Sequence, residues 1–138
     1  ALVDGGLASS ATGGLMPTEH PYLYSLSVSV ADGKSLAAVE EVVLKELDRL
    51  QRDGITSAEF AKVNAQLRAR FVYDGDSVTD IAHQLGYFET IGSWRNYHAL
   101  RARLEAVTPE AAHAAAVKYL TPANRTIGWF EPIAGLGA

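Results

Sequence analysis

Four histidines, His20, His83, His98 and His113, are the side chains in this sequence best suited to metal or proton chemistry. A zinc shared by two imidazoles needs them one helical turn apart or in the inverted H-x-x-E-H arrangement, and neither spacing occurs. Glu110 and His113 do stand one turn apart, which makes a half-site; a di-iron centre needs two such pairs and further carboxylates. Ser25, Ser27 and Ser29 alternate with apolar residues, but no G-x-S-x-G elbow presents a serine as a nucleophile. The glycines of GGLASSATGG lack the lysine of a phosphate-binding loop. Asp74, Asp76 and Asp80 lack the ligand alternation and closing glutamate of a calcium loop. Cysteine is absent, so thiolate metal sites and disulfides are excluded together. The residues define no catalytic or metal site and no cofactor in this segment.

The same residues have structural readings, and those require elements to carry them. Residues 6–12 predict a short strand of small residues against which something packs closely. Residues 22–30 predict the clearest strand, with Tyr24, Leu26, Val28 and Val30 on one face and the three serines on the other. Asp32-Gly33 turns the chain. Leu36, Val39, Val43, Leu47 and Leu50 then recur at three- and four-residue steps, a helix that Gly54 terminates.

Thr56-Ser57-Ala58-Glu59 is a capping box opening a second helix, with Phe60, Val63, Leu67 and Phe71 inward. The segment YDGDS breaks it. Ser77 caps a third helix (Val78, Ile81, Leu85, Phe88), and Ser93 a fourth in which Trp94 and Tyr97 are expected in the core. Thr108-Pro109-Glu110 starts a fifth. Residues 125–130 predict a last strand, and 133–138 a loose tail. Strands at both ends of a helical block make the fold class α+β, an antiparallel sheet with about five helices on one face. Residues 1–132 are expected to form a single domain.

Composition narrows the partners. Of 138 residues 48% are hydrophobic and 20% charged, an ordinary globular balance. The formal net charge is −4 and the 12 Lys and Arg are scattered, so nucleic acid has no basic stripe to bind. No apolar run approaches the roughly 20 residues of a membrane span, and the first residues form no secretory signal. The absence of an initiator methionine fits a piece of a longer chain. Residue usage suggests a soluble bacterial protein, cytoplasmic or periplasmic.

The stretch from Thr56 onward resembles the C-terminal repeat of the pitrilysin/insulinase-type zinc metallopeptidases, the family of the mitochondrial processing peptidase. The likeness rests on Gly54-Ile55-Thr56 with Glu59, then Ser77, Ala82, Leu85-Gly86, Glu89 and Gly92. It continues through Val107-Thr108, Lys118-Tyr119-Leu120, Pro122, Asn124-Arg125-Thr126, Gly128, Phe130 and Pro132. Upstream, GLASS and the strand of residues 22–30 fall where the family has corresponding elements.

This resemblance implies a two-repeat architecture. The catalytic repeat carries H-x-x-E-H and zinc, whose activated water cleaves unfolded peptides. The second repeat is catalytically empty and walls the substrate chamber. It implies a non-catalytic substrate-chamber domain here, with zinc in the catalytic repeat of the parent. Partners would be that repeat or a partner subunit, a peptide substrate, and a homo- or hetero-dimeric mate. The alternative is a structural, inactive partner subunit or peptide-binding module of the same fold. An Arg and a Tyr that often contact substrate in the second repeat align with Leu2 and Ser9, so that contact does not carry over. By position alone, Ser9, Ser25, Ser27 and Ser29 are the candidate substrate-contact residues.

Overall fold

The computed structural model of the chain describes residues 2–16, 18–20, 22–74 and 77–131. Two strands come first, β1 (Ala8–Leu15) and β2 (Tyr24–Val30), followed by helices α1 (Leu36–Asp53), α2 (Ser57–Asp74), α3 (Val78–Thr90), α4 (Arg95–Glu105) and α5 (Pro109–Tyr119). A 3₁₀ turn, Pro122–Asn124, follows α5. The fold class is α+β, as the sequence implies. The predicted tail, together with Pro132 and Asp76, lies outside the described residues.

Local chemistry sets most of the helix boundaries. At α2 the Glu59 amide donates to the Thr56 hydroxyl (3.2 Å), while the Glu59 carboxylate accepts from the Thr56 amide at 2.9 Å. This reciprocal pairing satisfies donors that a helix start leaves orphaned. Ser77 accepts from the Asp80 amide, Thr108 from the Ala111 amide, and Pro109 occupies the first turn of α5. Ser93 works one residue earlier than a regular cap. Its hydroxyl accepts from the Arg95 amide (3.3 Å), and α4 begins at Arg95.

The α2 start gives a first prediction. The Glu59 carboxyl is held below its ordinary value, chiefly by the Thr56 amide, then by the Thr56 hydroxyl and the charge of Arg49. A lowered folded-state value means that this contribution is complete above the ordinary glutamate range. It drains away as pH falls through and below that range. Thr56→Ala therefore costs about 1 kcal/mol near neutral pH. Thermal melts from pH 7 down to about pH 3 will show a shallower acid loss in Glu59→Gln than in the native chain.

The core is thin and sits where α1 meets α5. Ala8, Val39 and Ala116 are the buried apolar residues among those described, and Gly54 is buried with them. The Gln51 side chain donates to the Leu120 carbonyl (2.6 Å), and the His113 ring stands 2.8 Å from the Gln51 carbonyl. Two polar contacts thus tie the end of α1 to both ends of the last two turns of α5.

Three expectations need correction. Residues 125–130 do not form a paired strand, because no neighbouring strand among the described residues offers a ladder; the sheet there is the two-stranded β1–β2 pair. Trp94 is 40% exposed at the start of α4, with the Arg95 guanidinium over its ring, and is not core. Val63 and Val78 also face outward, so their helical stripes are narrower than the periodicity suggested. No helix of the described residues is long and apolar enough to cross a membrane.

Candidate substrate-facing surface

The β1–β2 pairing decides where the serines point. The register is antiparallel, with Ser10 opposite Ser29, Thr12 opposite Ser27 and Gly14 opposite Ser25. Residues directly opposite each other share a face. One side of the hairpin therefore carries Ser10, Thr12, Ser25, Ser27 and Ser29, all exposed. The other carries Ala11, Leu15, Tyr24, Leu26 and Val28. Hydroxyls both donate and accept without charge, so such a face can meet a polypeptide backbone in either sense of its hydrogen bonding.

Ser9 occupies a special position. The register slips between Ala8 and Ser10, so Ser9 and Ser10 together oppose Ser29, which is a β-bulge. The Ser9 hydroxyl donates to the Ser29 carbonyl at 3.2 Å. That bond fixes the bulge at the end of β1 nearest the buried Ala8. Ser9 is thus committed to the hairpin's own backbone, whereas Ser25, Ser27 and Ser29 lie side by side on the hydroxyl face.

Glycine explains why β1 runs beyond its predicted end. Gly13 pairs with Leu26, and a Cβ there would stand 2.6 Å from the Tyr24 hydroxyl and 3.0 Å from Leu26. The tyrosine ring crosses the strand where no side chain blocks it. This is the close packing that the small-residue run predicted, on the apolar face of the hairpin.

The other candidate chemistry is already engaged. Glu110 is held below its ordinary carboxyl value by its own backbone amide and then by the Thr108 hydroxyl. His113 turns to Gln51, so the half-site Glu110–His113 is split between two unrelated jobs. Asp80 accepts from the Ser77 hydroxyl at 2.6 Å, as part of a helix start. His98 packs edge-on to Trp94 and beside Tyr97. Among the described residues no three His, Cys, Asp or Glu side chains stand together as a metal site. The donor set of the described residues does not fit zinc.

An open groove passes the Leu15 end of β1 and runs between α2, α3 and α4. It is lined by Leu67, Phe71, Phe88, Tyr97 and Leu104 among others, with His83 also in the lining. The helical periodicity named these apolar residues but not the groove. Ser10 and Thr12 on the hydroxyl face also escaped the sequence. The eight residues between β1 and β2 are too many for turn type to set the register, so cross-strand partners could not be deduced.

Residues 1–67 match the family model described as the Peptidase M16 inactive domain. A protease from Helicobacter pylori shares the fold at a TM-score of 0.79 and 19% identity, over 87% of this chain and 29% of that one. A candidate zinc protease from Bordetella pertussis Tohama I gives 0.81 and 22% identity, over 96% of this chain and 74% of that one. The inactive peptidase domain of a candidate zinc protease from Bordetella parapertussis gives 0.79 and 21%, over 99% and 75%. At these identities the solved structures establish the fold. The chain spans less than a third of the Helicobacter protease. No curated protein matches the sequence. The likeness to the C-terminal repeat of an insulinase-type zinc peptidase holds in the family match and in the fold.

Proposed function

We infer that a chain which matches the M16 peptidase inactive domain over residues 1–67, and shares its fold with such a domain, serves as the non-catalytic substrate-chamber part of a zinc peptidase. The observation that carries this reading is the hairpin's hydroxyl face. Five exposed, uncharged Ser and Thr side chains lie on one side of β1–β2. An extended, unfolded peptide presents amides and carbonyls alternately, and a row of hydroxyls can pair with either. Such a wall tolerates any side-chain sequence. Zinc and the general base would belong to the catalytic repeat of the parent; among the described residues here no three His, Cys, Asp or Glu side chains gather for the metal.

Photo-crosslinking tests the face directly. With this chain assembled beside its catalytic repeat, a photoreactive residue at position 27 is expected to capture an unstructured peptide substrate. The same residue at position 24, on the opposite face, should capture little. Equal capture from both positions, or capture from 24 alone, removes the hydroxyl face from the chamber wall.

A further inference from the structure

The bulge at Ser9 decides which side chains share a face. Ala8 pairs with Val30, and an unbroken ladder would continue with Ser9 opposite Ser29, Ser10 opposite Val28, Ala11 opposite Ser27 and Thr12 opposite Leu26. That register would set Ser10 and Thr12 among the apolar residues of β2, and Leu15 among its serines. With Ser9 as an extra residue, every pair beyond it moves by one. Ser10 faces Ser29, Thr12 faces Ser27, and Leu15 faces Tyr24. One inserted residue thereby sorts the hairpin into a hydroxyl face and an apolar face.

Two contacts hold the shifted register. The Ser9 hydroxyl donates to the Ser29 carbonyl at 3.2 Å, across the bulge itself. Farther along, Gly13 lies opposite Leu26, and a Cβ there would stand 2.6 Å from the Tyr24 hydroxyl. In the unbroken ladder Gly13 would fall opposite Ser25 and leave its place beside that ring. The other end of β1 is fixed independently. Ala8 is buried, and the Ala31 amide donates to the Leu7 carbonyl at 3.0 Å. A slip therefore turns over residues 10–15 and leaves Ala8 where it is. We propose that Ser9 is a positioning residue for peptide binding: by closing the bulge it holds Ser10 and Thr12 on the serine face, without itself touching the peptide. The inference rests on that face being the substrate-facing wall. An unbulged hairpin would offer a peptide Ala11 and Gly13 in place of those two hydroxyls.

Two measurements test this, both on the chain assembled beside its catalytic repeat. The first reads the register with introduced cysteines, since the chain has none of its own. Cα atoms directly opposite each other lie about 4.5–5.5 Å apart, within disulfide reach. Thr12→Cys with Ser27→Cys should bridge on oxidation, and Ala11→Cys with Ser27→Cys should not. Deletion of Ser9 should reverse the two. Ser9→Ala should lower the yield of the 12–27 bridge, and Ser9→Thr, which keeps the hydroxyl, should restore it. The second measurement is turnover of an unstructured peptide. Ser9→Ala should raise KM about three- to tenfold with kcat unchanged, and Ser9→Thr should return KM close to native. Bridging that ignores both Ser9→Ala and the deletion overturns the proposal. So does a raised KM in Ser9→Ala with an undiminished 12–27 bridge, which would make Ser9 a direct contact. A register that slips as expected while KM stays native has a different meaning. It removes the hydroxyl face from the chamber wall, and Ser9's part in binding falls with it.

Discussion

Gly54→Val lowers the melting temperature of the chain by roughly 5–15 °C. Gly54 follows α1 with φ 76 and ψ −159, a backbone region that residues bearing a Cβ rarely enter. The conformation alone costs of order 1–3 kcal/mol in any other residue. Space adds to the cost. A Cβ at this position would lie 3.3 Å from Cγ and Nδ1 of His113, and Gly54 is itself buried. The His113 ring has little freedom to retreat while it holds the Gln51 carbonyl at 2.8 Å.

The two causes separate in a double-mutant cycle. His113→Ala removes the crowding and leaves the backbone strain, so it should recover part of the Gly54→Val loss and not all of it. Thermal melts of the four chains give the answer. Full recovery would place the whole effect in side-chain crowding, and no recovery would place it in the backbone. With only Ala8, Val39 and Ala116 buried among the apolar residues described, this junction carries an unusual share of the stability.

That junction also shows how far the sequence could be read. Gly54 was legible as a helix terminator because the apolar stripe of α1 stops at Leu50 and a capping box opens at Thr56. Its meeting with His113 was not, because the two lie 59 positions apart and no local signal links them. Three helix starts were legible, since Thr56, Ser77 and Thr108 act on amides three residues away; Ser93 stands one residue before the N-cap of α4, and the Ser35 cap of α1 went unread. Strand contents depended on partners. The alternation in residues 125–130 expresses a real preference, but a strand exists only where another strand supplies its ladder. Ser25, Ser27 and Ser29 were placed on one face by period two alone. Ser10 and Thr12 joined them only through the register, and Ser9 left them through a bulge that no spacing announces.

Helix-start roles engage Glu110 and Asp80, a polar contact with the Gln51 carbonyl engages His113, and ring packing engages His98. What the described residues offer besides is a hydroxyl face on β1–β2 and an apolar groove between α2, α3 and α4.

The second large prediction follows from this division, and it is all-or-none. Among the described residues no three donors gather to hold a zinc that would lower the pKa of a bound water, and this chain alone is expected not to hydrolyse peptide bonds by that route. Turnover of an unstructured peptide is the decisive measurement, made with zinc present and repeated with a chelator. Three samples are needed: this chain alone, the H-x-x-E-H-bearing repeat alone, and the two together. Chelator-sensitive cleavage is expected to be strong only when the two are combined, and at background level for this chain by itself. Chelator-sensitive turnover by the 138-residue chain alone would contradict the account at its centre.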